Sequence, residues 1–392
     1  MTARAFSLRF SMSYALMMLG TGVQLPFLPL WLSAKGIDVG GIAFIVAGMM
    51  AIRTASSPLF AWLADHLGQR RLVIRACATS AFLAYAALGF MDGFWPIAAM
   101  ALLAAFLFAP VFPLSEGFSI DASAALGLDY GRMRLWASLS FLSGSLGSGL
   151  ILTHLDALDT SWLLAGAMGL TVVSAFVLPA EPDALTARRK PSTPGMGARR
   201  FLLASSFPVF LLAAGLQQSS HAMLYSFSSI HWHSLGIDPF TIGLLWTVAV
   251  TIEVAVLAFS NSIINRFGPG RVFVIGIAGG IVRWTLMAFA TSLPLIMVLQ
   301  TLHAASFAMT HLGTMHMIRL MVPEHMRNRA QGIYSALSGG VLMSGAIWLA
   351  GSVYAQHGIL AYLVMAAMSV VSLGLGLALL RLSPRVRAAA VA

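Results

Sequence analysis

Long apolar runs, each closed by a short polar or basic segment, dominate the chain. A helix needs about 20 apolar residues to cross the hydrocarbon core of a bilayer. On that measure the pattern predicts an all-α membrane protein of twelve transmembrane helices, at about 9–32, 40–63, 72–91, 94–116, 133–153, 161–179, 203–230, 240–264, 272–291, 294–319, 330–353 and 359–381. The first run follows a short basic stretch, as in a signal peptide. It continues to about Trp31 without a small-residue cleavage site, so it reads as a retained helix. Between the sixth and seventh runs lies EPDALTARRKPSTPGMGARR, rich in proline, glycine and basic residues. The expected organisation is a six-helix bundle over 1–180, a cytoplasmic linker over 181–200 and a second six-helix bundle over 201–392.

Two of the runs match each other. Gly41 to Arg71 aligns at a constant offset with Thr241 to Arg271: Ile42, Ile52, Ala55 and Gly68 return as Ile242, Ile252, Ala255 and Gly268. The loop before each run repeats as well, Lys35-Gly36-Ile37-Asp38 against Leu235-Gly236-Ile237-Asp238. Six spans, a linker and six similar spans in the same orientation form a parallel duplication, hence two pseudo-symmetric bundles. Transporters built on that plan place their substrate between the repeats, near the bilayer midplane.

Composition agrees with a lipid-embedded chain. Hydrophobic residues make up 59% and charged residues only 9%, against roughly 25% charged in soluble domains. The single cysteine, Cys77, excludes a disulfide framework and any cysteine-cluster metal site. The net charge of +10 does not point to nucleic acid, because the basic residues stand at the ends of the apolar runs. With the N-terminus inside, every basic residue except Lys35, Arg53 and Arg283 falls on the inner side. By the positive-inside rule both termini are expected in the cytoplasm.

Three ionisable residues lie inside spans. Arg53 stands about 12 residues from the end of its run, roughly 18 Å at 1.5 Å per residue, and so near the midplane. Glu253 occupies the matching place in the second copy, and Arg283 lies in the ninth span. A charge at a helix centre costs about 2.5–3.5 kcal/mol on insertion scales, so such groups line aqueous cavities or pair with one another. They mark either a substrate pathway or a structural ion pair. A carboxyl holds its proton more tightly in a dry cavity and less tightly beside an arginine. Opening and closing a cavity around Glu253 would therefore switch its proton affinity.

Polar side chains form stripes on two helices. In the tenth span His303, Ser306, Thr310, His311 and Thr314 share one face at the helical period, as do Gln217, His221, Tyr225, Ser228 and Trp232 in the seventh. Such stripes line cavities or make interhelical hydrogen bonds worth about 0.6 kcal/mol each. The histidine spacing fits no metal motif, so no metal or other cofactor is expected. Trp246, one heptad before Glu253, is a candidate ring platform. Ser140, Gly144 and Ser148 in the fifth span, and the sets Ser335 with Gly339 and Ala336 with Gly340 and Ser344 in the eleventh, have the four-residue spacing of close helix contacts. Glu116, Asp121 and Asp129 gather with Arg132 and Arg134 near the inner surface.

Asp65-His66-Leu67-Gly68-Gln69-Arg70-Arg71 resembles the loop signature of the major facilitator superfamily, with Ala61 and His66 in place of its usual glycine and basic residue. Asn265-Arg266-Phe267-Gly268 is a looser second copy. Tyr130 to Trp136, Ser229-Ile230-His231-Trp232, Gly243 to Trp246 with Glu253, and Leu302-His303-Ala304 with His311 resemble the phenylpropionate permease branch, related to lactose permease and the nucleoside–proton symporters. That resemblance implies the major facilitator fold and a proton symporter of the bacterial-type inner membrane, taking 3-phenylpropionate or a similar aromatic acid. It implies that Asp65, with Gly68, Arg70 and Arg71 of the same loop, acts in gating; Arg132 and Arg134, read from the residues alone, are either gating charges or solvated inner-loop charges. Glu116 stands where that branch has an aspartate.

The expectation is a monomeric secondary transporter working by alternating access, with protons, a small solute and the bilayer as its partners. Arg53 or Arg283 would anchor a carboxylate, Tyr225, Trp246, His221 and His311 would line the site, and Glu253 with His303 would carry the proton. A sugar or nucleoside symporter, a drug–proton antiporter and a non-transporting membrane sensor remain open. No nucleophile–base motif or phosphate loop suggests an enzyme.

Overall fold

A computed structural model describes residues 3–180 and 206–382. The linker expected over 181–200 lies outside the described residues. Contacts divide the chain into two compact units, Met1–Pro191 with Trp232–Thr247, and Ser192–His231 with Val248–Ala392.

Ten helical stretches among the described residues are long and apolar enough to cross a membrane. One of them, Arg327–Arg381, turns at Gly358, whose φ is 56°, and so makes two spans. The seventh span is broken into Phe207–Ser219, Ala222–Ser226 and Ser228–Ser234. Together these make the twelve spans read from the apolar runs. The fourth span continues beyond the expected end, through Phe94–Leu126, with a turn at Ala109-Pro110. The eighth is interrupted at Phe259 between Pro239–Ala258 and Ser260–Phe267. The tenth and eleventh each contain a π-helical turn, Ala304–Met309 and Leu337–Leu342.

The duplication extends to individual hydrogen bonds. At the first loop Gly36 N–H donates to Ser33 O at 2.9 Å and Ile37 N–H to Leu32 O at 3.1 Å. At the second, Gly236 N–H donates to His233 O at 2.9 Å and Ile237 N–H to Trp232 O at 3.1 Å. Both glycines are left-handed, with φ of 76° and 80°, a conformation that a Cβ disfavours. Asp38 then caps the next helix by accepting from Gly41 N–H at 2.9 Å, and Asp238 accepts from Thr241 N–H at 3.0 Å.

Within the first unit, Phe6, Phe10, Tyr14, Ile74, Val111 and Phe118 form the core beside the predicted inner end of the spans. Lipid gives helices no hydrophobic reason to associate, so close contact and polar bonds must do so. The fifth span meets the first through glycine: a Cβ on Gly144 would lie 2.7 Å from Leu19 O, and one on Gly22 would lie 2.5 Å from Phe141 O. Ser140 Oγ bonds Ala15 O across the same seam. The small-residue spacing of the fifth span thus corresponds to a close helix contact. In the eleventh span Gly339 has nothing near its Cβ position, and Ser338 makes the contact instead, accepting at its carbonyl from Ser219 Oγ at 3.0 Å. The intervening π turn changes which residues face the seventh span.

Candidate functional site

The second unit holds a buried polar cluster built from its seventh, eighth, ninth and tenth spans. Its centre is Arg283, fully buried within Pro269–Met287. Nη1 lies 2.9 Å from His303 Nδ1 and donates to Ser306 Oγ at 2.9 Å, while Nη2 donates to Gln300 Oε1. The guanidinium also stands over the Trp284 ring, 4.5 Å from its centroid. A buried ion loses several kcal/mol of hydration, and only a dense set of partners offsets that loss.

Hydrogen-bond direction follows from the chemistry of arginine. A guanidinium only donates, so His303 Nδ1 accepts and its proton sits on Nε2. That nitrogen lies 3.3 Å from Glu253 Oε2, on the side of the carboxylate. A second chain leaves the same arginine nitrogen through Ser306. Ser306 Oγ lies 3.4 Å from His221 Nε2, and His221 Nδ1 lies 3.2 Å from Gln218 O. One guanidinium thus orients two histidines, one ending on a carboxylate and the other on a backbone carbonyl.

The π turn explains how the tenth span presents these groups. It begins immediately after His303, and the rings of His303, Phe307 and His311 stack in a nearly parallel ladder. Their centroids are 5.0 and 5.9 Å apart with interplanar angles of 8° and 4°. The ninth span makes room for the turn: a Cβ on Gly279 would lie 2.5 Å from Ala305 Cβ, and one on Gly276 would lie 2.7 Å from Thr310 N. π turns recur at functional sites.

The other expected site residues fall into two groups. Glu253, Tyr225 and His311 are half-buried, and Arg53 is exposed. His221, Arg283 and Trp246 are buried. At 3% exposure the Trp246 indole is buried, so the expected platform has no open face in this structure. Arg53 interacts electrostatically with the buried Tyr85 hydroxyl. Gln300, Phe307 and Tyr85 were not anticipated. Gln300 and Phe307 lie three and four residues from His303, on its face, a signal available in the sequence.

Within the first unit, the residues assigned to gating form short-range contacts. Gly68 ends the second span in the left-handed conformation, φ 63°, with its N–H on Asp65 O at 3.3 Å. Arg70 Nη1 pairs with Asp121 Oδ2 at 2.9 Å and lies over Phe118. Arg134 Nε and the Tyr130 hydroxyl both donate to Glu116 Oε1, at 3.0 and 2.7 Å. Asp129 caps the fifth span by accepting from the Arg132 backbone N–H at 3.1 Å, and the Arg132 side chain is exposed. Asp65 is exposed and Arg71 half-buried. A separate cavity of about 330 Å³, between the first, fifth and sixth spans, is lined by apolar and small residues such as Leu19, Gly147 and Trp162 and by no titratable group.

Twelve spans in two similar halves, with a charged cluster buried inside one of them, define a multi-pass membrane transporter. Residues 7–364 match the MFS_1 like family. The chain belongs to that family of major facilitator transporters, and it is a secondary transporter and not an enzyme. It is 29% identical over 351 residues to a probable 3-phenylpropionic acid transporter of Escherichia coli, covering 88% of this chain and 90% of the relative. A maltose permease of Geobacillus stearothermophilus is 24% identical, over 88% and 89% of the two chains. Among solved structures, the nucleoside transporter NupG superposes with a TM-score of 0.84 at 18% identity, covering 96% of this chain and 100% of its own. A D-xylose–proton symporter superposes with a TM-score of 0.75 at 13% identity, over 96% of each chain.

Proposed function

We propose that the protein is a proton symporter of the bacterial inner membrane, taking up a small aromatic carboxylate such as 3-phenylpropionate by alternating access. One observation carries the reading. With histidine counted neutral, the charged residues deep within the spans are two arginines, Arg53 and Arg283, and one carboxylate, Glu253. The spans therefore hold one positive charge in excess, which favours an anion over a neutral sugar or nucleoside. Loading one proton together with one monoanion leaves that net charge as it was. Arg53, exposed in the structure, is the anchor, since an arginine takes a carboxylate through two parallel hydrogen bonds. Arg283 is occupied by His303, Ser306 and Gln300 and acts as a fixed positive charge. Tyr225 and His311 line the site, Glu253 carries the proton, and the pairs made by Arg70 and Arg134 belong to gating.

The likeness to a probable 3-phenylpropionic acid transporter supports this substrate class. The likeness to a maltose permease favours a sugar as the second reading. The test is uptake of labelled 3-phenylpropionate, maltose and a nucleoside by the purified protein in liposomes, with and without an imposed inward proton gradient. The proposal expects accumulation of the aromatic acid only, driven by the gradient. Gradient-driven accumulation of maltose alone would overturn it.

A further inference from the structure

We infer that the groove between the fifth and sixth spans of the first unit binds one phospholipid acyl chain, from the leaflet on the side of the 153–159 loop. This site is independent of the solute that the protein carries.

The cavity of about 330 Å³ beside the first span is a groove with two matched walls. Ser143, Gly147 and Ile151 form one wall, four residues apart on the fifth span. Trp162, Gly166 and Leu170 form the other, at the same spacing on the sixth. Residues four apart lie one above another on a helix, so each wall is a straight stripe. Gly147 and Gly166 have no atom within 4 Å of the place a Cβ would take. The space exists because both walls lack a side chain at their middle position.

Tighter packing cannot close this groove, since both walls are already fixed to its floor, the first span. On the fifth span a Cβ on Gly144 would lie 2.7 Å from the carbonyl oxygen of Leu19, a floor residue. The sixth span is tied to the first at two points. Ser13 Oγ donates to Ser174 O at 3.1 Å, and Thr171 Oγ1 donates to Met17 O at 3.4 Å. An unfilled groove forfeits the dispersion contacts of its lining, and something of the right shape is needed to restore them.

Three observations identify the occupant. First, the groove is continuous with the surface that faces lipid. Ile151, Trp162 and Leu170 are exposed, as are Leu150 and Val173 beside them, and neither span carries a charge between 135 and 153 or between 160 and 178. Second, water is a poor occupant. Ser148, the buried polar side chain of the lining, already donates to Gly144 O and Ser145 O. That leaves Ser143, fewer than the about two to four partners a buried water needs. Third, the length fits one leaflet. From Ser143 to Ile151 the groove runs about 12 Å at 1.5 Å per residue, against about 15 Å for half of a hydrocarbon core.

Trp162 marks the headgroup end. It stands exposed just beyond the 153–159 loop, edge to face with Phe90 at 4.9 Å between centroids. Tryptophan gathers at that level of a bilayer. Bulk lipid is as apolar as the groove, so the bound chain is selected by packing against the two glycines and not by hydrophobicity.

The experiment places the full chain in phosphatidylcholine vesicles doped with phosphatidylcholine carrying a photoactivatable diazirine on one acyl chain. Labelled positions are then mapped by mass spectrometry. Labelling of 143–151 and 162–170 is expected to saturate at a single chain per protein as the probe fraction rises. Labelling at Val282 and Leu286, exposed on the ninth span, is expected to keep rising in proportion to the probe. A diazirine near the glycerol end marks Ile151 and Trp162, and one near the methyl end marks Ser143 and Leu170. Gly147→Leu combined with Gly166→Leu fills the groove and removes the saturable labelling, while Val282 is labelled as before. Groove labelling that rises in proportion like that of Val282, or that survives both leucines, means bulk lipid in passing and overturns the inference. The reverse order of marks along the groove, no labelling there, or a cross-link to a second copy through this face overturns it as well. Saturation on the wild-type chain decides the matter where the paired variant fails to fold.

Discussion

Arg283 Nη1 lies 2.9 Å from His303 Nδ1, and that contact sets which nitrogen of the histidine carries the proton. Everything on the Glu253 side of the ring depends on it. His303→Phe keeps a flat ring for the stack with Phe307 but removes both nitrogens. The expected result is a loss of about 1–3 kcal/mol, the cost of leaving a buried donor unsatisfied. Unfolding in detergent measures the stability, and pH-gradient-driven uptake is expected to fall in parallel.

Arg283 itself tolerates substitution poorly. Arg283→Met strands Gln300 Oε1, Ser306 Oγ and His303 Nδ1 in the protein interior, at an expected cost of about 3–5 kcal/mol. Arg283→Lys retains the charge yet lacks the planar fork that reaches three partners, so it recovers only part of this. Thermal unfolding of the two variants and the wild type in one detergent ranks them.

The matched loops allow a test of the duplication by stability alone. Gly36→Ala and Gly236→Ala each force a Cβ into the left-handed region, costing about 1–2 kcal/mol. The two losses are expected to be equal, because the surrounding backbone bonds are the same in both copies. Gly332→Ala, in a helix with open space at its Cβ position, is the control. It is expected to gain up to about 1 kcal/mol from helix propensity.

The seam between the ninth span and the π turn is backbone against backbone. Gly276→Ala places a methyl group 2.7 Å from Thr310 N and 2.9 Å from Ala305 O, neither of which is a flexible side-chain end. The expected cost is about 1–3 kcal/mol, as for other overpacked sites. Because Thr310 directly follows the turn that sets His303, uptake is expected to drop along with stability. Counterflow of 3-phenylpropionate at matched protein levels checks it.

Outside the membrane, Asp238 is held below the usual carboxylate range by the Thr241 hydroxyl and backbone N–H, at 2.6 and 3.0 Å. A depressed carboxyl stabilises the fold above its unfolded value, and that contribution disappears as pH falls through the folded one. Stability is therefore expected to decline from about pH 4 downward. Asp238→Asn, which can still accept at the cap, should flatten that decline, and thermal unfolding from pH 2 to 6 would show it.

The twelve spans and the doubling of Gly36-Ile37-Asp38 were legible because both depend on local order. Apolar run length sets a crossing helix, and a left-handed glycine followed by a capping aspartate is a motif of neighbouring residues. The intramembrane charges Arg53, Glu253 and Arg283 were legible too, since any charge within such a run stands out. What each charge touches was not. Arg283 and His303 are brought together by the packing of the ninth span on the tenth, and that packing depends on a π turn which no regular helical period contains. His303, Phe307 and His311 share a face at the regular period as well, but only the structure shows their rings stacked. Trp246 shows the converse: its heptad relation to Glu253 is a fact of sequence, but its burial is a fact of packing. The sequence by itself determined the lipid environment, the span count and the residues able to carry charge. Only the tertiary structure decided which arginine is enclosed by partners and which is exposed, because hydrogen-bond satisfaction in a low-dielectric interior is a property of contacts between helices.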